Sequence, residues 1–249
     1  MSEKDDVLRR LTTSLETAAR VRASARQTAS GAAARKMLRT WQAARLARTH
    51  SDFLANPEYA DAARFFVTDL YGPDELENRD AVLQRVAPIM SKTLPVSGLD
   101  AIADAIELDA LSESLDADMV NALGGDIAQL DSAAYGRAYR QTDRRGDRAR
   151  QIDLIEHLGG SLETLSRQRF IGAALAAMRK PARVAGFGEL QNFLERGYDS
   201  VRKMKAVAPF LETVVSRERS VSAALFAGDD APLEDTAQGS AIPGSDPHG

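Results

Sequence analysis

Residues 56–73 read Asn56-Pro57-Glu58-Tyr59-Ala60-Asp61-Ala62-Ala63-Arg64-Phe65-Phe66-Val67-Thr68-Asp69-Leu70-Tyr71-Gly72-Pro73, and their punctuation sets the fold class. Asn followed by Pro opens a helix: the Asn side chain caps free backbone N–H groups, and Pro needs no N–H in a first turn. Gly72-Pro73 is the matching stop. Between them Tyr59, Ala62, Ala63, Phe66 and Leu70 fall three and four residues apart and share one face. This predicts a helix over 56–71 with Phe66 in the core. Phe65 lies about 100° round the helix, flanked by Asp61 and Asp69, so it either meets a second helix or lines a groove.

The same grammar extends along most of the chain, and no segment alternates with the period of a strand. Upstream, an Ala-rich seam through Leu8, Leu11 and Leu15 predicts a helix over 7–30, a hinge at Ser30-Gly31 and a second helix over 32–54. Downstream, helices are expected over 78–94 (with Pro88 as a kink), 97–123, 126–142, 147–158, 161–180, 188–204 and 209–226. Gly159-Gly160 and Pro181 serve as stops in this reading. The expected fold is all-α: one multi-helix bundle of about eight to ten helices over residues 1–227, opening with a long basic helical segment at 5–55. Residues 228–249 hold only Leu233 and Ile242 as large aliphatics and are expected to form a disordered acidic tail.

Composition excludes several function classes. Zero cysteines remove disulfides, thiolate metal sites and a Cys nucleophile, and suit a cytoplasmic, reducing compartment. A net charge of −4 argues against nucleic acid, and no apolar run is long enough to span a membrane. Residues 7–50 carry ten basic residues and one acid, a transit-peptide-like balance. The acidic first residues and the packed run of Met37, Leu38 and Trp41 speak against that reading. Charge is segregated: residues 99–131 hold nine acids and no base, and 137–150 hold six arginines and two acids. These faces either complement one another within the fold or offer one side to a partner.

Phe65-Phe66-Val67-Thr68-Asp69-Leu70-Tyr71 resembles the signature of an uncharacterised bacterial family named for a Phe-Phe-Leu-Glu-Glu-Leu-Tyr motif. Trp41-Gln42, Arg45-Leu46, Tyr139-Arg140 and Phe193-Leu194-Glu195-Arg196-Gly197 are similar in flavour, and the likeness runs from about residue 35 to 228. Val67, Thr68 and Asp69 depart from the motif. The resemblance implies a helical protein and carries no activity, substrate or cofactor.

Chemistry has few footholds. There is no phosphate-binding Gly loop, dinucleotide fingerprint, nucleophile elbow or Glu-x-x-His pair, so neither a cofactor nor a metal is expected. His157, four residues after Asp153, reads as a structural histidine near a helix end. The specific candidate is a Thr142-Asp143…Gly146 break set among arginines. A helix starting there would place its positive end beside Arg144 and Arg145. Its N–H groups, with Arg140, Arg144 and Arg145, would suit a phosphate or carboxylate. Phe65, Tyr135 and Tyr139 complete the expected ligand-binding set. The competing reading pairs these arginines with the acids of 99–131.

Three functions remain open: a helical interaction or scaffold protein with a protein partner or a second copy of itself; a binding module for a small anionic or amphipathic ligand; and an enzyme of unknown class. The first leads, because the chain offers helical surfaces and no catalytic constellation.

Overall fold

A computed structural model describes residues 3–26, 28–70, 96–184, 186 and 188–234. Every regular element among them is helical. Helix α1 (Glu3–Arg26) is followed by α2 (Ala29–Thr49), and the break falls at the Thr28 cap, whose Oγ1 accepts from Gly31 N at 3.0 Å, rather than at Ser30-Gly31. Two short helices come next, α3 (Ser51–Ala55) and α4 (Ala60–Arg64). Asn56 does cap, but it closes a local turn by accepting from Glu58 N at 2.9 Å, so the helix proper begins at Ala60. At Phe65 the winding widens into a π-helix over Phe65–Leu70, six residues that carry most of the family-like motif. The expected end of this helix at Tyr71, the 78–94 helix and the Pro88 kink lie outside the described residues.

Helix α5 (Val96–Leu123) is the axis of the bundle, unbroken, with α1, α2, α6 (Ser132–Thr142) and α7 (Arg145–Ser166) packed round it. Val7, Leu11 and Leu15 of α1 close on Leu99, Ala103 and Ile106. After α5 the chain makes a 3-10 turn (Gly124–Gln129), and Asp131, not a residue near 126, caps α6 by accepting from Ala134 N. Helix α10 (Ala208–Ala227) lies against α6 and α7. A hairpin of α8 (Arg169–Val184) and α9 (Gly188–Arg202) leans on α7 and α4.

Three punctuation marks read differently in three dimensions. Helix α7 runs straight through Gly159-Gly160, because Gly159 is a contact and not a stop: a Cβ there would sit 2.4 Å from Leu211 Cδ2. Pro181 lies inside the last turn of α8, where the carbonyl it deprives belongs to the exposed Ala177. The chain also stays docked past residue 228. Gly228 turns it in the left-handed region (φ 91°), α11 (Ala231–Glu234) follows, and Leu233 is buried against Tyr135, Tyr139 and Leu225. The expected tail thus begins no earlier than residue 235, and 235–249 lie outside the described residues.

Candidate functional site

The basic and acidic segments meet inside the fold. Arg10 of α1 reaches Asp100 at 2.7 Å and Asp104 at 2.9 Å on α5. One turn after another, Arg22 pairs with Asp109 and with Glu113 (3.1 Å), while Arg35 of α2 pairs with the same Glu113. Arg39 stands 3.6 Å from Glu113 and 3.9 Å from Asp116. Burial pushes Glu113 above the ordinary carboxylate range, against the pull of Arg22, Arg35 and Arg39. Farther along, Arg45 grips both oxygens of Glu218 on α10 at 2.7 Å, and His50 Nε2 meets Glu218 at 3.0 Å. Burial alone would raise Glu218, but Arg45 and His50 outweigh it and hold the carboxyl at about 2.

Beside this network lies a cavity of about 100 Å³ between α2, α5, α6, α7 and α10. Arg148, on the second turn of α7, faces it from a side chain that is only 7% exposed with the rest of its residue. Its guanidinium rests over the Tyr139 ring (4.7 Å to the centroid), and its Nη1 donates to Gln151 Oε1 at 3.2 Å. Gln151 is aimed by its own amide, which donates to Ser112 Oγ at 2.8 Å; that hydroxyl donates on to Leu108 O. Nε and Nη2 of Arg148 have no partner, and no carboxylate pairs with it among the described residues. Buried guanidiniums are ordinarily paired, because an uncompensated interior charge is costly. Arg39 and Arg45, which line the same cavity, each have a carboxylate within reach, whereas Arg148 has none among the described residues.

A second, smaller cavity of about 50 Å³ adjoins on the α10 side and shares Arg45, Tyr135, Arg148, Gln151, Ile152 and Glu218 with the first. Tyr139 borders it; burial raises its phenol, with Arg148 pulling the other way, and its hydroxyl meets Ser222 Oγ at 2.9 Å. Glu218 is therefore kept ionised and Tyr139 kept protonated. Neither of these two groups is poised to exchange a proton near neutrality.

The residues singled out from sequence are distributed unevenly round this site. Tyr135 lines both cavities and stacks on Trp41 at 4.4 Å. Arg140 is bound to Asp230 at 2.7 Å and to Leu225 O. Arg144 pairs with Asp147 at 2.5 Å and with Asp118, an acid of the 99–131 segment. Arg145 is exposed and lies over the Phe226 ring, 4.2 Å from its centroid. The break between helices is real, with Asp143 left-handed at φ 47°, and Arg140, Arg144 and Arg145 beside it are each engaged by partners within the chain. Phe65 does both things expected of it: it packs on Phe193 of α9 at 5.2 Å and over Gly197, and it lines an open groove with Arg64, Asn192 and Arg196, apart from the cavity that the buried Phe66 lines.

His157 was expected near a helix end at 158, but α7 runs on to Ser166 and the side chain reaches α5. Its Nδ1 lies 2.5 Å from Asp104 Oδ2, and Asp100, Asp104 and His157 bring ligand atoms within 4.8 Å. Arg10 already contributes a cation to both carboxylates, so the group is an ion-pair latch for α1.

Arg148, Gln151 and Glu218 were not foreseen as site residues. Their signal was present: Arg148 heads the stripe Arg148, Ile152, Ile155, and Glu218 interrupts Val214, Val221 and Leu225.

Residues 21–232 match a single family along most of the chain. The protein belongs to DUF8198, a domain of unknown function. No curated protein and no solved structure matches it. The larger cavity and the α7 stripe fall inside the stretch shared with the DUF8198 family, as does the lining of the smaller cavity apart from Leu233.

Proposed function

We propose that this DUF8198 protein is a binding module that holds a small anion in the interior cavity beside Arg148. The observation that carries the reading is a buried guanidinium with two unpartnered nitrogens, on a side chain that lines the cavity. A protein keeps such a charge in its interior when something outside the chain neutralises it. Tyr135 and Tyr139 belong to this site, whereas Arg140 and Arg144 already have carboxylates. The test is thermal unfolding with formate, acetate and phosphate against chloride at matched ionic strength. A bound anion raises stability by about 2.7 kcal/mol at a hundredfold excess over its Kd. Arg148→Met should abolish that increment, and Arg144→Ala with Arg145→Ala should leave it. If no anion surpasses chloride, or if Arg148→Met keeps the increment, the reading is wrong.

A second reading, an interaction protein with a protein partner or a second copy of itself, is favoured by one observation. Phe170, Met178 and Val184 of α8 are 62%, 51% and 92% exposed. Sedimentation of the wild type and of Phe170→Ser tests self-association; a mass that stays monomeric across concentrations removes that form of it. We further place the chain in the bacterial cytoplasm, within the Phe-Phe-Leu-Glu-Glu-Leu-Tyr kind of protein. The support is the residues Phe65-Phe66 and Leu70-Tyr71, and a cysteine-free sequence.

A further inference from the structure

Resting on the anion reading above, we infer that the ligand is a short-chain aliphatic monocarboxylate of about three to five carbons. Three observations converge on that class. The first is the donor geometry. The unpartnered nitrogens of Arg148 are Nε and Nη2, the side-on pair of the guanidinium, whose parallel N–H bonds match the two oxygens of one planar carboxylate. Gln151 occupies the remaining nitrogen, Nη1, so the guanidinium is held with that buried edge unpartnered.

The second is charge. Arg148 has no carboxylate partner among the described residues, and a monocarboxylate supplies the one negative charge that its guanidinium lacks; a phosphate, doubly charged for much of the time at pH 7, brings a second into the interior. The third is the lining. Where the two cavities overlap, the walls are chiefly polar. The part belonging to the larger one alone sets an apolar wall of Leu46, Phe66, Ala105, Leu108, Ile155 and Phe193 beside the polar Arg39, Gln42, Asp109, Ser112 and Asp116. A head on Arg148 therefore sends a hydrocarbon tail toward the π-helix. Length follows from volume: about 100 Å³ is smaller than the roughly 150 Å³ engineered cavity that accepts a six-carbon ring.

The experiment is calorimetric titration of the full chain with sodium acetate, butyrate, octanoate and phosphate. Each methylene that enters the apolar end should tighten binding roughly 4-fold, so butyrate should exceed acetate by roughly 15-fold. Octanoate and phosphate should bind at least 10-fold more weakly than butyrate. Ala105→Leu, which fills the tail end, should reverse the order of butyrate and acetate. Should that variant fail to fold, isotope-filtered NOEs from the butyrate methyl to the Phe66 ring and Ile155 methyls in the wild type make the same point. Equal affinity for acetate, butyrate and phosphate, all lost in Arg148→Met, overturns the carboxylate inference and leaves the anion reading standing. Absence of binding by any of them overturns both.

Discussion

Two sets of buried arginines lie within a few turns of each other and have opposite surroundings. Along the contact of α1 and α2 with α5, Arg22 and Arg35 converge on Glu113, and each cation has a carboxylate within reach. On the α7 wall, Arg148 has an aromatic face, an amide oxygen and open volume. Electrostatics in a low-dielectric interior gives the two sets different work. Paired charges fix the register of one helix on another, because sliding by a turn would strand an ion. A charge without a counter-ion raises the energy of the empty protein and returns that energy when an anion arrives. Composition is the same in both places; what differs is whether the chain completes the circuit.

The comparison is sharpest at Glu113. Glu113→Ala removes the buried carboxylate that Arg22 and Arg35 share and should cost about 3–5 kcal/mol in urea unfolding; a loss below about 1 kcal/mol would mean that the seam is not what holds α1 and α2 in place.

Glu218 extends the contrast into pH. Its folded pKa, about 2, lies below that of an unfolded glutamate, about 4.3, so its contribution is present above about pH 5 and lost as pH falls toward 2. The amount is on the order of 3 kcal/mol. Glu113, raised by burial, has the opposite sign: its protonation relieves a cost. The difference between wild type and Glu218→Gln across pH 2–7 isolates the first effect, and parallel curves would remove it.

Smaller still is the C-terminal contact. Leu233→Ala should cost about 2–3 kcal/mol, as for other buried leucines, and an unchanged melting temperature would return residues 228–234 to the tail.

The least effect is expected at Arg148, and its sign is the informative part. Arg148→Met keeps a polarizable side chain over the Tyr139 ring and removes an uncompensated charge, so the ligand-free protein should gain roughly 1 kcal/mol. A loss like that at Glu113 would reveal a hidden partner and end the contrast.

Much of the fold was legible because helical period and caps are local. Phe66, Leu11 and the boundaries of α5 and α10 follow from residues within a turn or two. The misread marks were residues whose role is set by something distant: Gly159 by Leu211, Leu233 by Tyr135 and Tyr139. The site divided in the same way. A dense run of arginines advertised itself at 137–150, but density says nothing of pairing. Asp118 and Asp230, remote in sequence, take Arg144 and Arg140, and the arginine left over is the one whose spacing puts it on an apolar face. Charge segregation was visible in the sequence; its internal closure was a fact of tertiary structure.

Gly136 of α6 has no side chain, and the space it leaves is taken by the Asp230 carboxylate: a Cβ there would stand 1.9 Å from Oδ1. Asp230 is also the residue that anchors Arg140 and leads into the Leu233 contact. One methyl group at position 136 would therefore act at a distance as a molecular scissor. Gly136→Ala would evict Asp230, free Arg140, and unseat the segment that walls the smaller cavity, reproducing a truncation at residue 228 in a chain of full length.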